Sequence, residues 1–314
     1  SKWLDANRPV VQMTWDPGQP ELIEGKVIAE GGWIARAGVR VLNLYRPPTP
    51  VPGDATLAGP WLDHVRRVYP ADADHIIHYC AQRVQHPGEK LNHALVLGGA
   101  QGIGKDTILE PVIEAVGKWN VSDVSPVQMM GRFNSYVKAV ITRVNEVRDL
   151  GDVNRYGFYE HSKSLICAPP NAIRCDEKNL REHMVINVTA VVFTTNAKVN
   201  GIYLPVDDRR HYVAWSDCTT EEFPTEYVTD LYGWYHDGGY GHVAAYLAAL
   251  DLSAFDPKAP PPKTIAFWAI VDANRAPEDA ELADAIDGLR SPDAITLSML
   301  TSTATNSFTE WLRD

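Results

Sequence analysis

The sequence is poor in cysteine and lacks long apolar runs, and each shortage excludes a class of protein. Its four cysteines among 314 residues form no CxxC pair, so neither a disulfide framework nor a zinc ribbon is encoded, and reduced thiols are expected. No apolar run is long enough to span a bilayer, and the N-terminus lacks the basic-then-apolar pattern of a secretory signal. We therefore expect a soluble protein of the cytoplasm.

Positive charge is also scarce. The formal net charge of -11 argues against a surface coated with Lys and Arg for duplex DNA, because such binding depends on cations that neutralise phosphates. Any contact with nucleic acid must then be local, and a ring is able to concentrate a few basic groups in its channel. The 45% hydrophobic content is sufficient for a folded core.

The chain divides where its pattern changes. Residues 1–85 contain short β-like runs, the proline-rich segment RPPTPVPGD and one or two helices, which we interpret as an N-terminal lead-in and helical segment. Residues 86–216 alternate apolar strands (ALVLGG, VKAVITRV, NVTAVVFTT, HYVAW) with helices or loops, which predicts an α/β sheet with crossovers. Residues 217–314 have mostly helical patterns. Because the chain begins with Ser1 and not Met, we also expect upstream domains.

A glycine-rich segment between an apolar strand and a helix-compatible run is the strongest motif. It has G-x-x-x-x-G-K spacing, and in this context backbone N–H groups and the lysine bind the phosphates of a nucleotide. A glycine-rich turn that only joins strand to helix is the alternative. Asp106 stands where Ser or Thr usually meets magnesium and Thr107 follows it, so either is a candidate ligand. The predicted nucleotide-binding residues are Gly99, Ala100, Gln101, Gly102, Ile103, Gly104, Lys105, Asp106 and Thr107.

Polar residues follow two further strands. VKAVITRV ends in Asn145 and Glu146, which places a carboxylate beside the phosphate loop, where Glu146 is positioned to activate the attacking water. Both residues are candidate magnesium ligands, and Asp149 is a fallback for the base. AVVFTT is followed by Asn196, whose amide is suited to orient water or the terminal phosphate. The alternatives are a surface carboxylate for Glu146 and a turn residue for Asn196.

Two arginines, Arg209 and Arg210, stand immediately before the strand HYVAW. The fixed cation of arginine suits the charge that develops on a transferring phosphoryl group. A local salt bridge to Asp207 or Asp208 is the alternative for one of the two.

In this order the motifs resemble those of the superfamily 3 helicases of small viruses, phages and mobile elements, in particular the motor module of phage-type and plasmid-type primase-helicases. The resemblance runs from about residue 86 to 215. It implies an AAA+ P-loop core with a parallel sheet flanked by helices, and a homo-hexameric ring that uses ATP and Mg²⁺ to move 3′-to-5′ on single-stranded DNA. Lys105 and Glu146 then match the phosphate-binding and catalytic residues, and Asn196 the sensor. Arg209 matches the residue that reaches a neighbour's nucleotide, with Arg210 as runner-up.

The resemblance also identifies residues 173–178 as the channel hairpin of this superfamily, with Lys178 on the DNA backbone. Arg174 and Lys178 have alternating-side spacing for a hairpin arm, which favours phosphate contact. A solvated charged loop is the alternative, because three acids nearly cancel these cations: Asp176, Glu177 and Glu182.

Two departures from the family's pattern affect the expected magnesium shell. Asp106 and Asn145 both replace the usual ligands, so hydrolysis is expected to be slow or poorly coupled. The rival functions are a P-loop small-molecule kinase and an AAA+ nucleotide switch or loader without unwinding activity. In this family a primase or origin-binding domain precedes the motor, and residues 1–85 show no counterpart, so such a domain is expected upstream.

Overall fold

The computed structural model describes residues 10–147, 155–197 and 201–274, together with 286, 288–289, 294–296 and 298–300. The strands are β1 (Gln12–Thr14), β2 (Leu22–Ala29), β3 (Gly32–Asn43), β4 (Ala94–Gly99), β5 (Val121–Val124), β6 (Ile141–Val144), β7 (Ala172–Cys175), β8 (His183–Ile186), β9 (Ala190–Thr195) and β10 (His211–Ser216). The helices are α1 (Gly59–Val68), α2 (Ala73–Gln85), α3 (Lys105–Val116), α4 (Pro126–Met129), α5 (Arg155–Ile166), α6 (Thr225–Trp234), α7 (Tyr240–Ala249) and α8 (Ile265–Ala273).

A five-stranded parallel sheet in the order β10-β4-β9-β6-β5 forms the centre of the fold. Every residue of β4 and β9 is buried, as expected of apolar parallel strands that helices cover on both faces. All four neighbouring pairs are parallel, so the carboxyl ends of the strands share one edge. The predicted α/β fold, with a parallel sheet flanked by helices, is confirmed.

The sequence pattern missed one strand of this sheet and overextended another. The edge strand β5 has the sequence VSDV and is mostly half-exposed or exposed, so it carries too few apolar residues to give a periodic signal. The predicted strand VKAVITRV begins at Val137, whereas β6 begins at Ile141. The difference arises because Ser135–Val137 forms a short 3₁₀ turn.

The β-like runs in the first fifty residues are confirmed as strands. β2 and β3 form an antiparallel hairpin, and β1 pairs parallel with β3. This sheet lies against a second hairpin, β7–β8, where the Thr14 hydroxyl donates to the Met184 carbonyl at 3.0 Å. The proposed division at residues 85 and 216 stays a prediction.

Helices around α3 fix the position of its first turn. The indole of Trp61 in α1 donates to the Ile108 carbonyl at 3.0 Å, and the Tyr235 hydroxyl donates to the Thr107 carbonyl at 2.9 Å. Tyr235 begins the single wide turn, Tyr235–Gly239, that joins α6 to α7.

The helical interpretation after residue 216 is confirmed for α6, α7 and α8. The further helices expected in EDAELADAIDGL and SFTEWLRD lie almost wholly outside the described residues. In the described part of the chain, no helix combines the length and the apolar composition needed to cross a bilayer.

Candidate functional site

The predicted phosphate loop connects the end of β4 to the start of α3. Gly102 and Gly104 have φ angles of 83° and 92°, a left-handed conformation in which a Cβ is strained. A Cβ at Gly104 would also lie 2.5 Å from the His64 ring. Glycine is therefore required at position 104, because the backbone is left-handed there and the His64 ring leaves no room for a Cβ.

Lys105 is the first residue of α3 and folds back over the loop. Its Nζ donates to the carbonyls of Gly99 and Ala100 and to Oδ1 of Asn196, each at 2.7 Å. Burial lowers the pKa of Lys105, and the carboxylate of Asp106 acts in the opposite direction. Because Asn196 follows β9, which neighbours β4, the sheet itself brings the predicted phosphate-binding lysine and the predicted sensor into contact.

Glu146 follows β6 at the same edge of the sheet. Its φ angle is 54°, which is uncommon for a residue other than glycine and costs roughly 1 kcal/mol or more. Its backbone N–H donates to the hydroxyl of Thr194 in β9 at 3.4 Å. Glu146, Lys105 and Asn196 line one cleft of about 350 Å³, so the structure brings these three predicted site residues together.

The candidate magnesium ligands divide into two groups. Asp106, Thr107 and Glu146 line the cleft, whereas the Asn145 amide donates to the Asp123 carboxylate at 3.4 Å and is not part of the lining. Asn145, a predicted magnesium ligand, is therefore turned toward Asp123 and away from the cleft. Asp123 belongs to the edge strand β5, which the sequence pattern missed. The carboxylates of Asp106 and Glu146 and the hydroxyl of Thr107 offer oxygen ligands, which Mg²⁺ prefers.

A basic residue that sequence reasoning missed connects these acids. Arg143 of β6 donates through Nη1 to Asp106 at 3.0 Å and through Nε to Asp123 at 2.5 Å. Burial alone lowers the pKa of Arg143, but the hydrogen bond to Asp123 and the charges of the nearby acids outweigh it, and the pKa is raised. The Arg143 guanidinium of β6 therefore holds the Asp106 carboxylate at the start of α3.

His64 and α6 close the other side of the loop. His64 Nε2 lies 3.2 Å from the Gly104 carbonyl and Nδ1 lies 3.0 Å from the Tyr227 hydroxyl. A carbonyl only accepts, so Nε2 carries the hydrogen and Nδ1 accepts from Tyr227. Burial lowers the pKa of His64, which favours this neutral form. Val228 and Tyr232 of α6 line the cleft; no motif marks any of these residues in the sequence.

The two predicted arginines lie at the opposite end of the sheet. They precede β10, and His211 of β10 pairs with Ala94 at the start of β4, roughly 17 Å along the strands from the phosphate loop. Arg209 is exposed and Arg210 is half-buried. The structure therefore does not bring them into the cleft of their own chain.

Asp208 holds the turn that presents these arginines. Its buried carboxylate accepts from the backbone N–H groups of Arg210 and His211 at 2.9 and 3.0 Å and from the Tyr159 hydroxyl at 2.8 Å. Burial alone raises the pKa of Asp208, but His211 and the hydrogen bonds outweigh it and lower the pKa to about 2. Within the described ranges, neither arginine side chain forms an ion pair with Asp207 or Asp208, and the ion-pair partner of Asp208 is His211, so the salt-bridge alternative is not what the structure contains.

Residues 173–178, which were predicted to form the channel hairpin, lie in the β7–β8 hairpin and its loop 176–182, and their place in a channel stays a prediction. Arg174 pairs with Glu182 inside the hairpin, whereas Lys178 is exposed in the loop. The other two acids have partners elsewhere: Asp176 with Arg132 at 3.2 Å and Glu177 with Lys138 at 2.6 Å. In the part of the chain that the structure describes, no carboxylate forms an ion pair with Lys178, whereas Arg174 is paired.

A segment that sequence reasoning missed lies beside this hairpin. Asn134 donates through Nδ2 to the Arg174 carbonyl and accepts from the Asp176 N–H, both at 2.7 Å. Phe133 is exposed, and the Arg132 guanidinium lies 5.7 Å from its ring centre. An exposed aromatic ring is thus held beside the β7–β8 hairpin, whose loop carries Lys178.

Comparisons with known proteins support the fold. A family model described as a family of unknown function, DUF5906, matches residues 97–210. An apo structure of the NrS-1 C-terminal region (305–718) is 18% identical with a TM-score of 0.69, covering 95% of this chain and 70% of that one. The A-form apo structure of the same region is also 18% identical with a TM-score of 0.68, and this chain covers 64% of its length. A JCV helicase structure aligns at 11% identity over 75% of this chain and 66% of that one, with a TM-score of 0.40, too low to carry an argument. No curated protein matches the chain.

Proposed function

We propose that the chain is an ATP-hydrolysing motor that moves along single-stranded DNA as one subunit of a hexameric ring. The observation that carries the proposal is the 2.7 Å contact between Lys105 Nζ and Asn196 Oδ1, in a cleft that Glu146 also lines. A phosphate-binding lysine, a polar amide and a carboxylate at the ends of three adjacent parallel strands form the arrangement that phosphoryl transfer to water requires.

The residues of the cleft have separate roles in this proposal. The backbone N–H groups of the loop and Lys105 bind the phosphates of ATP, and Lys105 exchanges its two carbonyl contacts for phosphate oxygens. Asn196 orients the terminal phosphate, and Glu146 accepts a proton from the attacking water. Asp106, Thr107 and Glu146 would hold Mg²⁺, which would neutralise charge on the phosphate oxygens.

The position of Arg209 supports a shared site. Because it is exposed at the far end of the sheet from its own phosphate loop, it is available to a neighbouring subunit's nucleotide and not to its own. Lys178 and Phe133 supply the DNA contact: the cation binds a phosphate, and the ring offers a face on which a base stacks. Translocation from 3′ to 5′, and a primase or origin-binding domain upstream, belong to the same proposal through the resemblance to superfamily 3 helicases.

The test is the steady-state rate of ATP hydrolysis with and without single-stranded DNA. A motor is expected to hydrolyse faster when DNA is bound, whereas a small-molecule kinase ignores DNA. Duplex DNA of the same length is the control. A hydrolysis rate that single-stranded DNA leaves unchanged would contradict the motor.

A nucleotide switch or loader is the second candidate, and one observation favours it. Arg143 pairs with Asp106 at 3.0 Å, which withdraws a carboxylate from the metal and is expected to slow hydrolysis. Arg143→Gln separates the two. If Arg143 holds the chain in a slow state, the variant hydrolyses ATP faster; if the motor needs Arg143 to position the loop, hydrolysis slows.

A further inference from the structure

Three potential metal ligands converge at the base of the β7–β8 hairpin. Cys175 is the last residue of β7 and His183 the first of β8, and the two are direct cross-strand partners, so their side chains lie on one face of the hairpin. Glu177 follows two residues later. One potential ligand atom from each of Cys175, Glu177 and His183 lies within 4.8 Å of the other two.

The His183 ring has an unused nitrogen that faces this cluster. Nδ1 lies 3.4 Å from the Arg181 carbonyl, and because a carbonyl accepts, Nδ1 carries the hydrogen of the neutral ring. Nε2 is buried and has no hydrogen-bond partner among the residues that the structure describes. It belongs to a side chain that is 6% exposed and lies 3.9 Å from the Glu177 carboxylate. A metal-binding histidine usually has this arrangement, with one nitrogen on a backbone carbonyl and the other lone pair on the metal.

We propose that Cys175, Glu177 and His183 bind a zinc-type divalent cation, with water as the fourth ligand. Thiolate, imidazole and carboxylate are the ligands that Zn²⁺ accepts in tetrahedral sites, and the thiolate and imidazole disfavour Mg²⁺ and Ca²⁺. Binding breaks the Cys175 S–H bond, releases the proton to solvent and forms the metal–sulfur bond, with no change of oxidation state. Lys138 Nζ contacts Oε2 of Glu177 at 2.6 Å, the same oxygen that lies 3.9 Å from His183 Nε2, so in the proposed site the carboxylate bridges Lys138 and the cation.

The site would fasten the two ends of loop 176–182. A cation held by residues from both strands closes the base of the loop that carries Lys178, as a metal clip does in other small elements. The site is separate from the nucleotide cleft and from its magnesium ligands, so it stands independently of the proposed ATPase.

The test is the metal content of the purified chain after exposure to Zn²⁺ and dialysis against metal-free buffer. We expect roughly one Zn²⁺ per chain in the unmodified protein, and binding that is tenfold or more weaker in Cys175→Ser and in His183→Gln. Cys218→Ser, a half-buried cysteine outside the cluster, is the matched control and should retain the ion. Equal retention by Cys175→Ser and Cys218→Ser would overturn the proposal, and so would an unmodified chain that retains no Zn²⁺.

Two measurements do not depend on whether the variants fold. Co²⁺ added to the unmodified chain should give a thiolate-to-metal charge-transfer band, and its absence contradicts Cys175 as a ligand. Lys178 and Arg181 are exposed in the loop, so trypsin should cut there more slowly when Zn²⁺ is present. The same rate with and without Zn²⁺ contradicts a site that closes the loop.

Discussion

At the scale of single residues, Glu146 combines a strained backbone with a place in the cleft. Its positive φ angle is maintained by the hydrogen bond from its N–H to Thr194, and strain of this kind is found where a side chain must be aimed at a reacting group. Asn145, one residue earlier, is turned instead toward Asp123. Asn145 and Glu146 are both polar and follow the same strand, but only Glu146 lines the cleft.

Glu146→Gln is expected to keep ATP affinity and to lower the turnover number by roughly 10² to 10⁴-fold, because the amide is isosteric but does not accept the proton of water. ATP binding and steady-state hydrolysis measure the two effects. Glu21→Gln, at an exposed position in the N-terminal segment, should change neither. If Glu146→Gln turns over at the normal rate, the base must be sought elsewhere, with Asp149, which lies outside the described residues, as the first candidate.

At the scale of secondary-structure elements, the β7–β8 hairpin presents Lys178, which pairs with no acid among the described residues. Lys178→Ala is expected to weaken binding of single-stranded DNA and to reduce the salt dependence of that binding by about one counterion, while hydrolysis without DNA is retained. Fluorescence anisotropy at several salt concentrations measures both. Lys258→Ala, another exposed lysine, is the control. DNA affinity that Lys178→Ala leaves unchanged contradicts the hairpin as the DNA contact.

Half-buried His75 of α2 and buried His93, which directly precedes β4, contact each other and are expected to make stability depend on pH. His75 and His93 face each other with Nε2 atoms 3.0 Å apart. Burial lowers the pKa of His75 from 6.5 to about 4 and of His93 to about 3, and neighbouring positive charges add to the effect. The unfolded chain therefore binds protons at these two histidines at pH values at which the folded chain does not. Stability is complete above pH 6.5 and is lost as the pH falls from there toward 4.

The free energy of unfolding should thus be lower at pH 5 than at pH 7.5 by about 2 kcal/mol for each histidine, on the order of 4 kcal/mol for the pair. Urea unfolding at the two values measures it. In His75→Gln the difference should shrink, whereas in His161→Gln, an exposed histidine on α5, it should persist. Equal stability at both values in the unmodified chain would show that these histidines do not control it.

The elements that the sequence predicted are those whose signal is local. Apolar runs identified β4, β9 and β10, and glycine spacing identified the phosphate loop. The edge strand β5 has too little apolar character to be recognised, and the order of the five strands depends on pairings between segments far apart in the chain. For the same reason His64, which contacts the loop 40 residues later, and Arg143, which contacts Asp106 from another strand, carry no signal that a motif search detects.

At the scale of the whole molecule, the cleft and Arg209 lie at opposite ends of one sheet, so the proposed site is completed only by a neighbour. Lys105→Ala and Arg209→Ala should each abolish hydrolysis alone. Mixed in equal amounts they should regain up to about a quarter of the normal rate, because random assembly pairs an intact Lys105 with a neighbour's intact Arg209 at that fraction of interfaces. The same mixture with Arg210→Ala identifies which arginine acts. No recovery in either mixture contradicts a shared site.

The proposed ATPase depends on one property, which is that the loop between β4 and α3 binds the phosphates of ATP. Titration calorimetry of the purified chain with ATP and Mg²⁺ tests it most directly, with Lys105→Ala as the matched variant. We predict saturable binding near one ATP per chain that Lys105→Ala abolishes. A chain that takes up no ATP, or that binds it equally well without Lys105, would contradict the account.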